Sequence, residues 1–182
     1  MLVQRTDEEL IRMVNDGNTL ALQELYSRYS KKLVNYFFRM LGQDEAKAQD
    51  FLQDLFLKVL EQSTSFRGYR FSTWLYSIAN NMCKNEYRRM KVRERALGLP
   101  GSYVLKETSD TFAFQRHLRE TLLLLSDEDQ ELYALRFEAE ASISDIALHF
   151  GCPEGTIKSR LFHLRKHLSK ELKVFKILID ES

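Results

Sequence analysis

The chain has 182 residues, with 27 Lys and Arg against 26 Asp and Glu, so its formal net charge of +1 supplies no whole-molecule field towards nucleic acid, and any such binding must come from local basic surfaces. Seven Gly and two Pro among many Leu and dispersed charges favour helix over sheet or disorder. The two distant cysteines, Cys83 and Cys152, exclude a disulfide framework. Neither a signal-peptide core nor an apolar run of about 18 residues is present, so the chain reads as cytoplasmic with no membrane insertion.

Thr6 to Glu9 has the T-x-x-E form of a capping box, which opens a short helix carrying Leu10, Ile11, Met13 and Val14 and stopping at Gly17. A second helix is predicted from about Asn18 to Leu41. Leu22, Leu25, Tyr26, Tyr29, Leu33, Tyr36, Phe37 and Met40 form its buried face. Asp44 caps a third helix, with Ala48, Phe51, Leu52, Leu55, Phe56, Val59 and Leu60 turned inward. A loop from Ser63 to Tyr69 interrupts the pattern before a fourth helix, which runs from near Ser72 to about Arg95. Periodicity then fades, and Gly98-Leu99-Pro100-Gly101-Ser102 signals a turn. Four more helices follow, over 114–125, 127–138, 142–150 and 153–172. The expected fold is all-α: an N-terminal helical bundle (1–95), a flexible linker (96–113) and a C-terminal helix-turn-helix domain (114–182).

The most specific local pattern runs from Ile143 to Leu168. Gly151 suits the left-handed residue that ends one helix, and Pro153 suits the first turn of the next. On that second helix Ile157, Leu161, Leu164 and Leu168 make a buried stripe, so Lys158, Ser159, Phe162, His163, Arg165 and Lys166 point mostly away from it. Cationic and hydroxyl side chains on the second helix of a helix-turn-helix can meet base edges and phosphates in the major groove.

The second pattern lies between Ser65 and Arg89. Phe66, Arg67, Tyr69, Arg70 and Phe71 mix aromatic and cationic groups ahead of Trp74, the single tryptophan. Such a mixture suits unstacked bases, because a ring replaces the lost stacking neighbour while a cation holds the phosphate. Phe71 and Trp74 are assigned mostly to packing, which leaves the loop from Ser65 to Arg70 as the better base-binding candidate. Lys84, Arg88 and Arg89 continue the surface as a basic ridge.

In order and spacing, residues 7–29, 48–62, 66–89 and 122–168 resemble the extracytoplasmic-function (ECF, group 4) sigma factors of the sigma-seventy family. The resemblance implies a non-enzymatic protein that binds core RNA polymerase and directs it to promoter DNA. It needs no cofactor, metal or small-molecule substrate, and is usually restrained by an anti-sigma factor. It places Gln53 and Asp54, joined by Asp50 and Glu61, at the polymerase contact. Ser65 to Tyr69 falls on a loop that captures a flipped-out −10 base, and Asn80 and Asn81 lie near the melting junction. Lys158, Ser159, Phe162 and His163 face the −35 element, while Arg160 and Arg165 suit phosphates. Gln49, Asn85 and His163 depart from the usual Glu, Asp and Arg. A neutral imidazole cannot grip guanine bidentately, so the family's −35 sequence does not carry over. The apolar tail Val174 to Ile179 is expected to extend the last helix onto the core.

Two other classes compete with this reading. A helix-turn-helix regulator with no polymerase role explains residues 143–168 but not the aromatic-basic loop or the Gln53-Asp54 helix. An enzyme lacks a P-loop, a GxSxG motif or a paired-carboxylate site. A zinc site built from His149, Cys152, His163 and His167 is opposed by the outward direction of His163.

Overall fold

The computed structural model describes residues 2–67, 70–98 and 110–173. Tyr69, most of the expected linker and the tail Val174 to Ile179 lie outside the described residues. The described residues contain eight α-helices and no strand: α1 (Asp7–Asn15), α2 (Thr19–Met40), α3 (Glu45–Gln62), α4 (Phe71–Ala96), α5 (Asp110–Leu124), α6 (Asp127–Tyr133), α7 (Ile143–Phe150) and α8 (Glu154–Glu171).

Helix starts follow local chemistry. The Thr6–Glu9 capping box closes in both directions, and Asn18 and Asp44 accept from the backbone N–H groups of Ala21 and Lys47. Arg70, before α4, supplies no side-chain cap, and Glu8 takes over from a distance by accepting the Phe71 N–H at 2.9 Å. A carboxylate at that end also complements the helix dipole. Arg28 fastens the first two helices, bonding Glu24, Asp7 and the carbonyls of Leu2, Val3 and Arg5, while the Tyr29 hydroxyl donates to Asp7. The first core is Leu10, Ile11, Leu25, Leu33, Tyr36, Phe37, Leu52, Leu55, Val59, Phe71, Leu75 and Tyr76, all essentially inaccessible.

The second body closes over Leu122, Leu132, Leu135, Ile146, Ile157, Leu161, Leu164 and Leu168. Gln130 ties the α5–α6 turn by donating to the Leu125 carbonyl at 3.0 Å. Between α6 and α7 the chain makes a π-helical turn, Ala134–Glu138, in which the Ala139 N–H reaches the Ala134 carbonyl at 2.9 Å. The helix expected over 127–138 is therefore α6 plus this wider turn. Buried apolar side chains of the two bodies form one continuous cluster.

Two inward assignments are corrected. Leu60 is about half exposed and Tyr26 is also exposed; each sits at the border of its helix's apolar face, where three-and-four spacing does not decide direction. Between the bodies, α4 runs to Ala96 and α5 begins at Asp110, so helix occupies both edges of the span read as linker.

The thiols differ in kind. Cys83 is sealed inside α4, and burial pushes its thiol pKa well above the ordinary range, whereas Cys152 is half-buried at the α7–α8 turn. A disulfide-exchange reagent is expected to titrate Cys152 in the native protein and Cys83 only after denaturant is added, since the thiolate is the reactive form. Two equally fast native thiols would contradict that burial.

Candidate nucleic-acid interface

The C-terminal face is built by caps on both sides of a tight turn. Ser142 and Asp145 form a reciprocal capping box that starts α7, and Gly151 ends it in the left-handed region at φ 62°. The Cys152 N–H then reaches back to the Ala147 carbonyl at 3.1 Å, and Pro153 opens α8. Ile157, Leu161, Leu164 and Leu168 all point inward. Lys158, Ser159, Phe162, His163, Arg165 and Lys166 are exposed. Phe162 presents its ring to solvent with the His163 ring edge-on at 5.5 Å, which makes an aromatic step on a basic face. Arg165 lies over the Phe137 ring at 5.8 Å. Arg160 departs from this set: it turns sideways to Glu128 and Asp129 and is only about a quarter exposed.

In the N-terminal body, Ser65, Arg67 and Arg70 are exposed around the loop that leads into α4. The Phe66 ring is committed to packing against Trp74 at 5.6 Å and Phe71 at 6.3 Å, so it braces the loop rather than offering a free face. Asn80, expected at a nucleic-acid surface, is buried; its carbonyl oxygen receives the Tyr36 hydroxyl at 3.4 Å. Its direction follows from helix phase, because Tyr76, Ala79, Asn80 and Cys83 share the inner side of α4. Asn81, Arg88 and Arg89 are exposed, while Lys84 is largely covered.

What covers Lys84 is the other body. The Asp127 carboxylate meets Arg88 at 2.6 Å and Lys84 at 3.4 Å. Glu131 accepts from Ser77 and lies 3.0 Å from His149 Nε2. Arg70 approaches Asp145 at 3.6 Å, Lys32 approaches Glu140 at 3.4 Å, and Arg39 pairs with Glu138. Acidic groups of α6, the π turn, Glu140 and α7 thus form a seam against cations of α2, Arg70 and α4. Composition contains no trace of this pairing, which joins residues far apart in the chain.

Burial alone would raise the Glu131 carboxyl pKa. The bonds from His149 and Ser77, with Lys84 nearby, outweigh it and hold the carboxyl below its ordinary 4.5. A carboxyl depressed in the folded state stabilises fully above the unfolded value, and that stabilisation drains away as pH falls through the folded value. The gap in unfolding midpoint between wild type and Glu131→Gln is therefore expected to be widest above the ordinary carboxyl value of 4.5 and to narrow as pH falls below it. A gap that widened in acid would contradict the assignment.

A third surface lies on α3, away from the seam. Asp50, Gln53, Asp54 and Glu61 are exposed on one stripe, and Leu57, 58 % exposed, interrupts it, with Leu60 beside it. Sequence reasoning misses Leu57, although its phase with Asp50, Gln53 and Asp54 is a readable signal. An acidic stripe of this kind does not attract phosphate.

Sigma-70 region 2 matches residues 25–93, and Sigma-70, region 4 matches residues 115–168. The RNA polymerase sigma-H factor of Pseudomonas aeruginosa is 32% identical over 94% of this chain and 96% of its own length. The ECF RNA polymerase sigma-E factor of Haemophilus influenzae is 29% identical over 94% and 98%. Among solved structures, the sigma factor RpoE in complex with the anti-sigma factor NepR, from Bartonella quintana, is 25% identical with a TM-score of 0.50, covering 84% of this chain and 98% of that one.

Proposed function

The chain belongs to the sigma-70 family as an ECF-type sigma factor, a protein that binds RNA polymerase and directs it to promoters, and from that premise we propose a division of labour among its three surfaces. The α3 stripe of Asp50, Gln53, Asp54, Leu57 and Glu61 docks on core polymerase. Its exposed leucine within an acidic frame supports this role. Ser65, Arg67, Tyr69 and Arg70 take up the separated strand of the −10 element. Asn81, Lys84, Arg88 and Arg89 follow its phosphates. Lys158, Ser159, Phe162, His163, Arg165 and Lys166 read the −35 duplex from the exposed face of α8.

The single observation that carries this reading is the coincidence of two matched regions with two separate cation-bearing faces, one beside an aromatic loop and one on a recognition helix. Assignment to group 4, domain edges near residues 95 and 114, a role without catalysis and a cytoplasmic location belong to the same reading. The anti-sigma factor bound to the Bartonella relative supports a restraining partner of that kind here, which co-purification would reveal. A regulator acting without polymerase accounts for α7 and α8 but leaves region 2 without a purpose.

The seam adds a constraint. Lys84 and Arg88 are engaged by Asp127, so in the closed chain that carboxylate competes with phosphate for both, and parting of the bodies on polymerase would free them. Transcription with core polymerase over a randomised promoter library tests the whole reading. RNA should start from an enriched set of −35 and −10 sequences only when chain and core are combined. No association with core, or no enrichment, would overturn it.

A further inference from the structure

Arg160 stands on the recognition helix two residues beyond Lys158, yet its surroundings differ from those of every other cation there. One guanidinium nitrogen lies 3.2 Å from Glu128, the other 3.2 Å from Asp129, and the guanidinium carbon is 5.0 Å from the centre of the Phe150 ring. Glu128 and Asp129 belong to the first turn of α6, and Phe150 is the last residue of α7. One side chain therefore fastens α8 to two other helices at once. The planar fork of arginine is suited to such a junction, because it satisfies two carboxylates while its face covers a ring, which a lysine ammonium cannot do. Lys158, by contrast, is 60 % exposed and has only Glu154, one turn away on its own helix, at 3.5 Å.

A guanidinium with both ends and one face occupied is not available to DNA phosphate. Its contacts add to the buried stripe Ile157, Leu161, Leu164 and Leu168 in seating α8 against α6 and α7, and that seating bears on whether Ser159, Phe162 and His163 meet base edges together. Groups that read bases through short bonds need supports that hold them to within about 0.5 Å.

We propose that Arg160 is a positioning residue: by clamping α8 to the start of α6 and the end of α7, it sets the angle at which the recognition face enters the major groove. The inference rests on the reading that α8 binds the −35 duplex. It departs from the expectation of a phosphate contact at Arg160.

The test uses holoenzyme reconstituted from the full chain and core polymerase, on a promoter selected by the wild-type holoenzyme and on the same promoter with its −35 element scrambled. Wild type, Arg160→Lys, Arg160→Ala and the double variant Glu128→Gln with Asp129→Asn are compared for the ratio of the two affinities and for the slope of log affinity against log salt. The expected result is a fall of about tenfold in the ratio, the size of one lost base-pair preference, for all three variants. The slope of Arg160→Lys should remain that of wild type, since the cation count is kept and only the clamp is lost. The inference is overturned if Arg160→Lys keeps the wild-type ratio, if Arg160→Ala flattens the slope by about 0.9 as loss of one phosphate contact would, or if the double variant leaves the ratio intact. Should an arginine substitution prevent folding, the double variant, which touches no residue on α8, decides the matter by its ratio. A wild type that shows no preference between the two templates would remove the −35 reading itself.

Discussion

Replacing Phe71 by alanine is expected to destabilise the N-terminal body by about 3–5 kcal/mol, the range for a large aromatic removed from a packed core. The ring is completely inaccessible, sits edge-on to Tyr29 at 5.5 Å and stands 5.9 Å from Trp74. Little around it can collapse to fill the space, because Tyr29 is held by its hydroxyl bond to Asp7 and Trp74 by the first turn of α4. Set against a typical total of about 5–15 kcal/mol, such a loss leaves the domain marginal. It should also unseat Phe66, whose ring rests on Phe71, and with it the loop that carries Ser65 and Arg67. Trp74 is the only tryptophan, so its fluorescence in a denaturant titration reports on this neighbourhood directly. A midpoint shift worth under about 0.5 kcal/mol, in the range of an ordinary surface change, would show that Phe71 is not a keystone of the loop.

Reversing the charge of Asp127 to lysine should open the molecule. One carboxylate now answers two cations across the seam, and the substitution turns both attractions into repulsions. Each exposed pair alone is worth up to about 1 kcal/mol, while like charges forced to such distances near a surface repel by up to about 4 kcal/mol before side chains move away. The radius of gyration from small-angle scattering is expected to rise. Binding of the free chain to single-stranded DNA should tighten by about tenfold at low salt and lose that gain as salt is added. Because lysine is also unfavourable in the first turn of α6, Asp127→Asn provides the milder comparison and should move both readouts in the same direction by less. Unchanged scattering and unchanged DNA affinity in Asp127→Lys would show that the apolar contacts of α4 hold the bodies together without the ion pairs.

Local chemistry in this chain is legible because it is decided within a few residues. The Thr6 and Ser142 caps, the left-handed Gly151 and the stripe Ile157, Leu161, Leu164 and Leu168 stand where sequence rules put them. The eight helices follow for the same reason. The π turn at Ala134–Glu138 was not legible, since its extra residue is stabilised by how α6 meets α4 and α7, and no side chain within it announces a wider ring. Polar residues inside helices were equally opaque. Asn80 and Asn81 look alike in sequence, and a rotation of about 100° sends one into the core and the other to the surface. Arg160 and Arg165 likewise differ only in what other helices bring to them. The site as a list of cations was readable; which of them are already engaged required the tertiary structure.

The sharing of α4 has a thermodynamic corollary. An anion arriving at Lys84 and Arg88 and the carboxylate already there are competitors for one set of donors. Competition of this kind is reciprocal: whatever factor the resident carboxylate subtracts from the newcomer's affinity, the newcomer subtracts from the resident's occupancy. A protein that grips the chain elsewhere, on the α3 stripe for instance, could then alter its grip on DNA without touching a nucleotide, solely by preferring one arrangement of the two halves.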